Sequence, residues 1–381
     1  MHKVSLFTVA NKAFICIGIV MFSINGHCAS QTGSKGGPEP PAIYRLPVAE
    51  HIGKTKCKSM PAPHVGSLDL TSKYRGSGSS RDALNKKAEA EYKEASKRVN
   101  RFEKALANLS DKYLEGDPFA RDCAVQLLEY WAVNNALMSD EASNTGHAVR
   151  KWALATAAHT YIKLVYPANA RPLSANSKAA IESWFSRLAD KVQAYYSDRP
   201  LKKVNNHDYW AAWSVMLTGV ITGNEAFFEW AMKKYQVATS QIEASGYLPN
   251  EMRRATRALA YHNYALHPLV WMTAFAAVNG RLTKEDTQAI QRLVSATVAG
   301  LHDPRIFEEQ TGKEQALERL YTAHQLAWME VWVQMYPPVP EMNRYLKEHR
   351  PMKASRLGGD ISLLFGTAGP RPHTRIELNT N

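Results

Sequence analysis

The sequence predicts an all-α chain of antiparallel helical hairpins, and three observations carry that expectation. Apolar residues recur at helical spacing from about residue 82 to about residue 348, whereas long β-branched runs of period two are missing. Asp117-Pro118, Tyr166-Pro167, Arg171-Pro172, Arg199-Pro200 and Asp303-Pro304 interrupt the pattern, because proline lacks the amide hydrogen a helix interior needs. The segments between those breaks are connected by short loops, which places consecutive helices antiparallel. A curved stack of hairpins closing towards an α/α toroid fits this pattern, and so does a plain helical bundle. Periodicity alone leaves both open.

The elements follow in order. Residues 1–30 read as a secretory signal, with a basic start at His2, Lys3 and Lys12, an uncharged apolar run over 13–24, and small residues at Ala29 and Ser30. The run is too short to span a bilayer, so no membrane anchor is expected. Residues 31–66 are rich in Gly, Pro, Ser and Lys and are expected to form an extended arm with little structure of its own. Residues 67–366 form the expected main domain. It opens on a polar loop over 68–81, and Asp82 is the expected N-cap of the first helix. Further helices are expected over 118–138, 148–165, 175–195, 207–222, 224–244, 256–279, 284–301 and 314–336, with Pro268 kinking or ending the sixth of these after Leu266. Gly358-Gly359 marks a tight turn, and residues 367–381 are expected to be a disordered tail.

Composition narrows the function. The chain has 381 residues, 45% of them hydrophobic, which suffices for a large core and excludes a mostly disordered protein. Its net charge is +12, and loss of residues 1–30 removes Lys3 and Lys12 but no acid. Such a charge favours a polyanionic partner: nucleic acid, anionic lipid or an acidic polysaccharide. Export and the lack of any nucleic-acid-binding motif argue against the first. Of four cysteines, export removes Cys16 and Cys28. Cys57 and Cys123 remain as an even pair in an oxidising space and are expected to be bonded, clipping the arm to the first hairpin; two free buried thiols are the alternative. No CxxC pair or carboxylate/His cluster has metal-ligand spacing, so neither metal nor other cofactor is expected.

The sequence carries no GxSxG, Walker, HExxH or GxGxxG motif. Two polar–aromatic clusters stand out instead. In the first, Asn205-Asn206-His207-Asp208-Tyr209-Trp210, His207 and Trp210 share a helical face with Ser214, and the paired asparagines suit a helix start. In the second, Arg253-Arg254-Ala255-Thr256-Arg257 is followed by Tyr261 and Tyr264, so that Arg257 and both tyrosines fall at i, i+4 and i+7. On residue types alone, the first cluster reads as capping plus a hydrogen-bonded core pair, and the second as a core stripe with a solvated arginine. A cation aligned with two phenols in so basic a chain also describes a site for proton transfer.

The motifs NNHDYWAAWSVM (205–216) and LPNEMRRATRALAYHNYAL (248–266) resemble those of the alginate lyases of polysaccharide lyase family 5. The likeness extends to SKYRGS (72–77), the two cysteine positions and RLGGD (356–360), and so covers most of the chain beyond the arm. It implies an incomplete α/α toroid with a deep cleft, and a periplasmic, monomeric, endo-acting enzyme that cleaves poly-β-D-mannuronate. Position by position, it implies that Asn206 and His207 neutralise charge and handle the proton, that Arg257 neutralises the substrate carboxylate, and that Tyr264 is the catalytic tyrosine. It further implies that Lys73 and Tyr74 sit on a lid, that Trp210 stacks on sugar and, more weakly, that Arg356 binds substrate.

These residue types suit the chemistry. Elimination across C4–C5 of a uronate requires loss of a C5 proton, which is poorly acidic while the C6 carboxylate is charged. Arg257 and the Asn206 amide would neutralise that carboxylate and stabilise the enolate-like transition state. In mannuronate the C5 proton and O4 lie on one side of the ring, so Tyr264 can serve as base and then as acid. Its phenol, ordinarily near ~10, would need cations such as Arg257 and Lys73 to lower it. His207 would orient the carboxylate, share the proton, or act as base on guluronate. A lyase on another polyuronate and a non-catalytic polyuronate-binding protein on the same fold are the competing readings. The combination of His207, Arg257 and Tyr264 favours the lyase.

Overall fold

The computed structural model of the chain describes residues 36–51, 53–57 and 60–378; the expected signal segment lies outside them. Fourteen α-helices succeed one another among these residues: α1 Lys86–Ala95, α2 Lys97–Leu114, α3 Pro118–Val133, α4 Asn144–Val165, α5 Ala175–Tyr196, α6 Asn206–Thr222, α7 Glu225–Ser240, α8 Pro249–Met252, α9 Ala258–Val278, α10 Lys284–His302, α11 Arg305–Thr311, α12 Trp328–Trp332, α13 Met342–His349 and α14 Ile361–Phe365. The only described sheet is a two-stranded antiparallel pair, Lys353–Ala354 with Gly359–Asp360.

The helices form two layers. Inner helices α2, α4, α6, α9 and α12 pack side by side, and α14 touches both α12 and α2. Outer helices α3, α5, α7 and α10 each pack on the inner helix that precedes them. This is an incomplete α/α toroid, and the burial pattern explains the sorting. Nearly every residue of α4, α6 and α9 is buried, as inner helices require, whereas α5, α7 and α10 bury one face. Trp213 of α6, Trp271 of α9 and Phe365 of α14 stack in succession, with centroids 5.9 and 5.8 Å apart. Each such pair contributes roughly 0.5–1.5 kcal/mol beyond its buried area.

Caps fix where the helices begin. Asp117, Ser143, Ser174, Asn224 and Thr283 each accept a first-turn amide, and Asn205 with Asp208 forms a reciprocal capping box at α6. The first helix is capped by Asn85 rather than Asp82, whose side chain takes hydroxyls from Ser80 and Thr256 instead. Pro268 does not end its helix. It is buried inside α9, where packing on every side outweighs one missing backbone bond.

The expected helix over 314–336 shrinks to Trp328–Trp332. Residues 313–327 form turns because their polar groups serve other segments. The Gln315 side chain receives the Leu259 amide and donates to the Ala255 carbonyl. The Gln325 carbonyl receives both Asn263 and His267.

Among its described residues the arm has one short 3₁₀ turn, Ala42–Arg45, yet it is built into the body: Ile43, Tyr44 and Val48 are buried, and the Asn169 side chain bonds both the amide and the carbonyl of Val48. The Cys57–Cys123 disulfide ties it to α3. The tail corrects the expectation of disorder as far as residue 378. Arg371 and Ile376 are buried, and the Ile376 amide reaches the Gln334 carbonyl at 3.0 Å.

Candidate active site

A cleft of about 1070 Å³ opens between the inner helices and the loops above them. Ten Lys and Arg side chains line it against one carboxylate, Glu318, so a polyanion is the ligand it suits. Most of the expected site residues converge on it: Lys73, Tyr74, Asn206, His207, Arg257, Tyr264 and Arg356.

The floor is built on helices. Asn206 and His207 open α6, held by the capping box. Asn206 is buried, and its backbone and side-chain nitrogens both donate to Glu251 Oε1, at 2.6 and 2.8 Å. Burial pushes Glu251 up, while Arg254 and Asn206 pull against it. His207 Nδ1 lies 2.9 Å from Lys151 Nζ of α4. Burial holds the imidazole well below its ordinary pKa, reinforced by Lys151, Arg254, Arg199 and Arg81, so it is neutral at physiological pH.

Tyr264 on α9 donates into no carboxylate; its hydroxyl receives Arg356 Nη1 at 3.2 Å. Burial pushes the phenol up to about 12, and Arg356 works against that rise. Arg356 itself lies 4.0 Å over the Trp152 ring and 3.7 Å from Glu103. Burial opposes its charge, but Tyr264 and Glu103 outweigh burial and hold the guanidinium ionised. The cation that tunes Tyr264 is therefore Arg356, in place of the expected Arg257 and Lys73. The turn carrying Arg356 is itself anchored, because buried Lys163 donates to both Asp111 and the Gly358 carbonyl.

The mouth is built on loops. Arg257 ends a 3₁₀ turn before α9, and its Nε donates to the Asp82 carbonyl at 2.6 Å. Tyr74 meets Tyr261 hydroxyl to hydroxyl at 3.2 Å, and Lys73 lies 5.2 Å over the Tyr74 ring. Residues 72–82 thus lie across the cleft, latched to the segment that carries Arg257.

Trp210 departs from expectation. It is fully buried, with its ring 5.4 Å from that of Tyr264, and has no face to offer a sugar. It supports the tyrosine from behind; besides Tyr264, the Tyr and Trp side chains at the cleft are Tyr74, Tyr92, Trp152, Tyr195, Tyr196 and Tyr261. Lys151, Glu251, Glu103 and Trp152 escaped the sequence reading. Two left a trace: Glu251 is the only acid between Glu243 and Glu285, and Lys151 is a charge entering a long apolar helix. Among the described residues no group of three or more His, Cys, Asp or Glu could hold a metal ion, and no helix is long and apolar enough to cross a membrane.

Comparison with known proteins agrees with this geometry. The family model described as alginate lyase matches residues 69–307. An alginate lyase of Pseudomonas paraeruginosa is 41% identical over 349 residues, covering 90% of this chain and 94% of the relative. One from Cobetia marina is 39% identical, covering 88% and 92%. Alginate lyase A1-III from Sphingomonas species A1 superposes with a TM-score of 0.70 at 21% identity, covering 89% of this chain and 92% of the other, which speaks for the fold. A tyrosine-to-phenylalanine variant of A1-III complexed with tetrasaccharide superposes at 0.72, covering 89% and 92% at 22% identity.

Proposed function

The chain belongs to the alginate lyase family, and from that premise we propose that it is a periplasmic, endo-acting enzyme that cleaves poly-β-D-mannuronate by β-elimination. The products carry 4-deoxy-α-L-erythro-hex-4-enuronosyl groups at their non-reducing ends. The observation that carries this reading is the Tyr264–Arg356 pair on the floor of a cleft whose charged lining is ten Lys and Arg side chains against one carboxylate.

The steps follow from the positions. A uronate carboxylate entering the cleft meets Arg257 and the amide of Asn206, which neutralise it and make the C5 proton removable. Glu251 fixes that amide from behind. Tyr264, as phenolate, takes the C5 proton, and electrons flow to form the C4–C5 double bond while O4 leaves. The same hydroxyl returns the proton to O4. Arg356 supplies the charge that keeps the phenolate accessible in an otherwise dry setting. The one-sided geometry of mannuronate lets a single group do both jobs. A cleft of about 1070 Å³ with cations spread along its lining has room for a stretch of polymer, which supports internal cleavage. All of these groups come from one chain, so a monomer suffices, and no cofactor is assigned a step.

Ultraviolet absorbance of the conjugated unsaturated uronate tests the reading. Purified protein should raise it quickly on poly-mannuronate, with viscosity falling early, and only slowly on poly-guluronate. A faster rise on poly-guluronate would overturn the specificity, and no rise on either polymer would overturn the activity.

A further inference from the structure

We propose that Lys151 is a positioning residue that fixes the tautomer of His207, so that the imidazole presents Nε2–H to the substrate as a hydrogen-bond donor and takes no part as a base. The inference rests on the reading of His207 as substrate-facing and goes beyond it. Lys151 is fully buried on α4, next to Trp152, which lies under Arg356 at the cleft. Its Nζ has two partners, His207 Nδ1 at 2.9 Å and the Tyr196 hydroxyl at 3.1 Å. Among the described residues it has no ion-paired carboxylate. Two aromatic faces stand in for one: Nζ lies 4.6 Å from the Trp152 ring centroid and 5.1 Å from that of Tyr196. Burial pulls the Lys151 pKa well down and Arg356 and Arg199 add to that, while the Asp208 charge opposes them. The two ring faces and the lone pair of His207 Nδ1 are what favour the ammonium over a neutral amine.

An ammonium has three donors and no acceptor. Opposite it, Nδ1 must offer a lone pair, and a neutral imidazole with a bare Nδ1 carries its proton on Nε2. The charged groups that act on His207 are Lys151 from α4, Arg199 and Arg81 from loops and Arg254 from the segment before α9, all cationic; they keep the ring neutral. Asp208, the nearest acid in sequence, is engaged by Arg199 at 3.4 Å. With Nδ1 held by Lys151 and Nε2 already protonated, His207 has no free lone pair. It can donate to the C6 carboxylate as negative charge moves onto it. It cannot abstract C5–H from guluronate, whose proton lies on the face opposite Tyr264. Lys151 would thereby contribute to the preference for mannuronate as well as to its rate.

Full-length protein labelled with ¹⁵N-histidine gives a readout independent of turnover. Nitrogen shifts of His207, assigned with His207→Gln, should show a bare Nδ1 and a protonated Nε2 between about pH 6 and pH 9. The opposite tautomer, or titration of the ring in that range, would overturn the proposal. Lys151→Met should produce a mixture of tautomers and lower turnover on poly-mannuronate by ~10- to 100-fold, the usual span for losing an orienting partner. Lys151→Gln, which keeps an N–H donor, should recover part of that loss and restore the single tautomer. Equal loss in both variants with an unchanged His207 tautomer would reduce Lys151 to a packing residue. If the wild-type chain shows the Nε2–H tautomer but cleaves no uronate polymer, the functional reading fails while the inference stands.

Discussion

The floor and the mouth of the cleft are made differently. On the floor, Asn206, His207 and Tyr264 sit on long inner helices, and each has a fixed partner: Glu251 and Lys151, both fully buried, and Arg356, half-buried at the cleft wall. At the mouth, Lys73, Tyr74, Arg81 and Arg319 lie on turns, two of them, Arg81 and Arg319, at positive φ of 48° and 61°. The floor fixes a few atoms against one another. The mouth supplies charge and closure with less demand on geometry. Substitutions on the floor should therefore lower kcat, and those at the mouth should raise KM.

The largest effect is expected at Tyr264. Tyr264→Phe keeps the ring that Trp210 supports and removes only the oxygen. Turnover should fall by at least ~10²-fold, the low end for a lost general acid–base, while binding of poly-mannuronate measured by calorimetry changes little. Near-wild-type turnover would place the base elsewhere.

Arg356→Gln comes next. A hydrogen bond to a charged group is worth about 1.5–3 kcal/mol, so turnover at neutral pH should drop by roughly 10- to 100-fold. The sign of the pH dependence follows from the phenol, which must be ionised to act as base. With its pKa pushed up to about 12, the ionised fraction of the free enzyme grows throughout the neutral and alkaline range. kcat/KM should climb with pH by about one decade per unit. Removing Arg356 raises the phenol further and shifts the climb to higher pH. A wild-type profile that is flat through this range would show that Tyr264 does not start protonated.

The floor was largely legible in the sequence, and the mouth was not. Helical period places Asn206, His207 and Tyr264, because a buried helix leaves an apolar record broken only where chemistry intrudes. Arg356 was named but underweighted: its contact with Tyr264 spans 92 residues of sequence and depends on a turn anchored by Lys163 and Asp111. The 313–327 segment has helix-forming residues, yet tertiary hydrogen bonds to Gln315 and Gln325 unwind it. Trp210 failed in the opposite way. Its spacing put it beside the site correctly, but periodicity cannot tell the face towards the cleft from the face behind it.

Salt should separate the two regions with a smaller effect. Charges at the mouth act through solvent, where the Debye length is ~8 Å at physiological ionic strength, whereas Arg356 and Tyr264 are half-buried and in direct contact at 3.2 Å. KM on poly-mannuronate should rise several-fold between low and high salt, with kcat nearly constant. An equal fall in kcat would mean that the floor feels bulk ions and is wetter than its burial implies.

The smallest effect is expected at Asp82, the hinge between the regions. Its carboxylate organises the 72–82 loop by accepting from Ser80 at 2.6 Å, Ser77 at 3.2 Å and Thr256 at 3.3 Å, while its backbone carbonyl receives Arg257. The Ser80 hydroxyl in particular holds its pKa below the usual carboxylate value, so the acid stays ionised throughout the working range and the latch adds no pH dependence there. Asp82→Ala removes the side-chain bonds and leaves the carbonyl in place for Arg257. These bonds are solvent-accessible, so their loss should weaken closure by about 1 kcal/mol and raise KM by roughly fivefold, with kcat unchanged. If Asp82→Ala instead lowers kcat as far as Tyr264→Phe does, the loop and the floor act as one unit, because Arg257 then needs the carboxylate of its latch and not only the carbonyl.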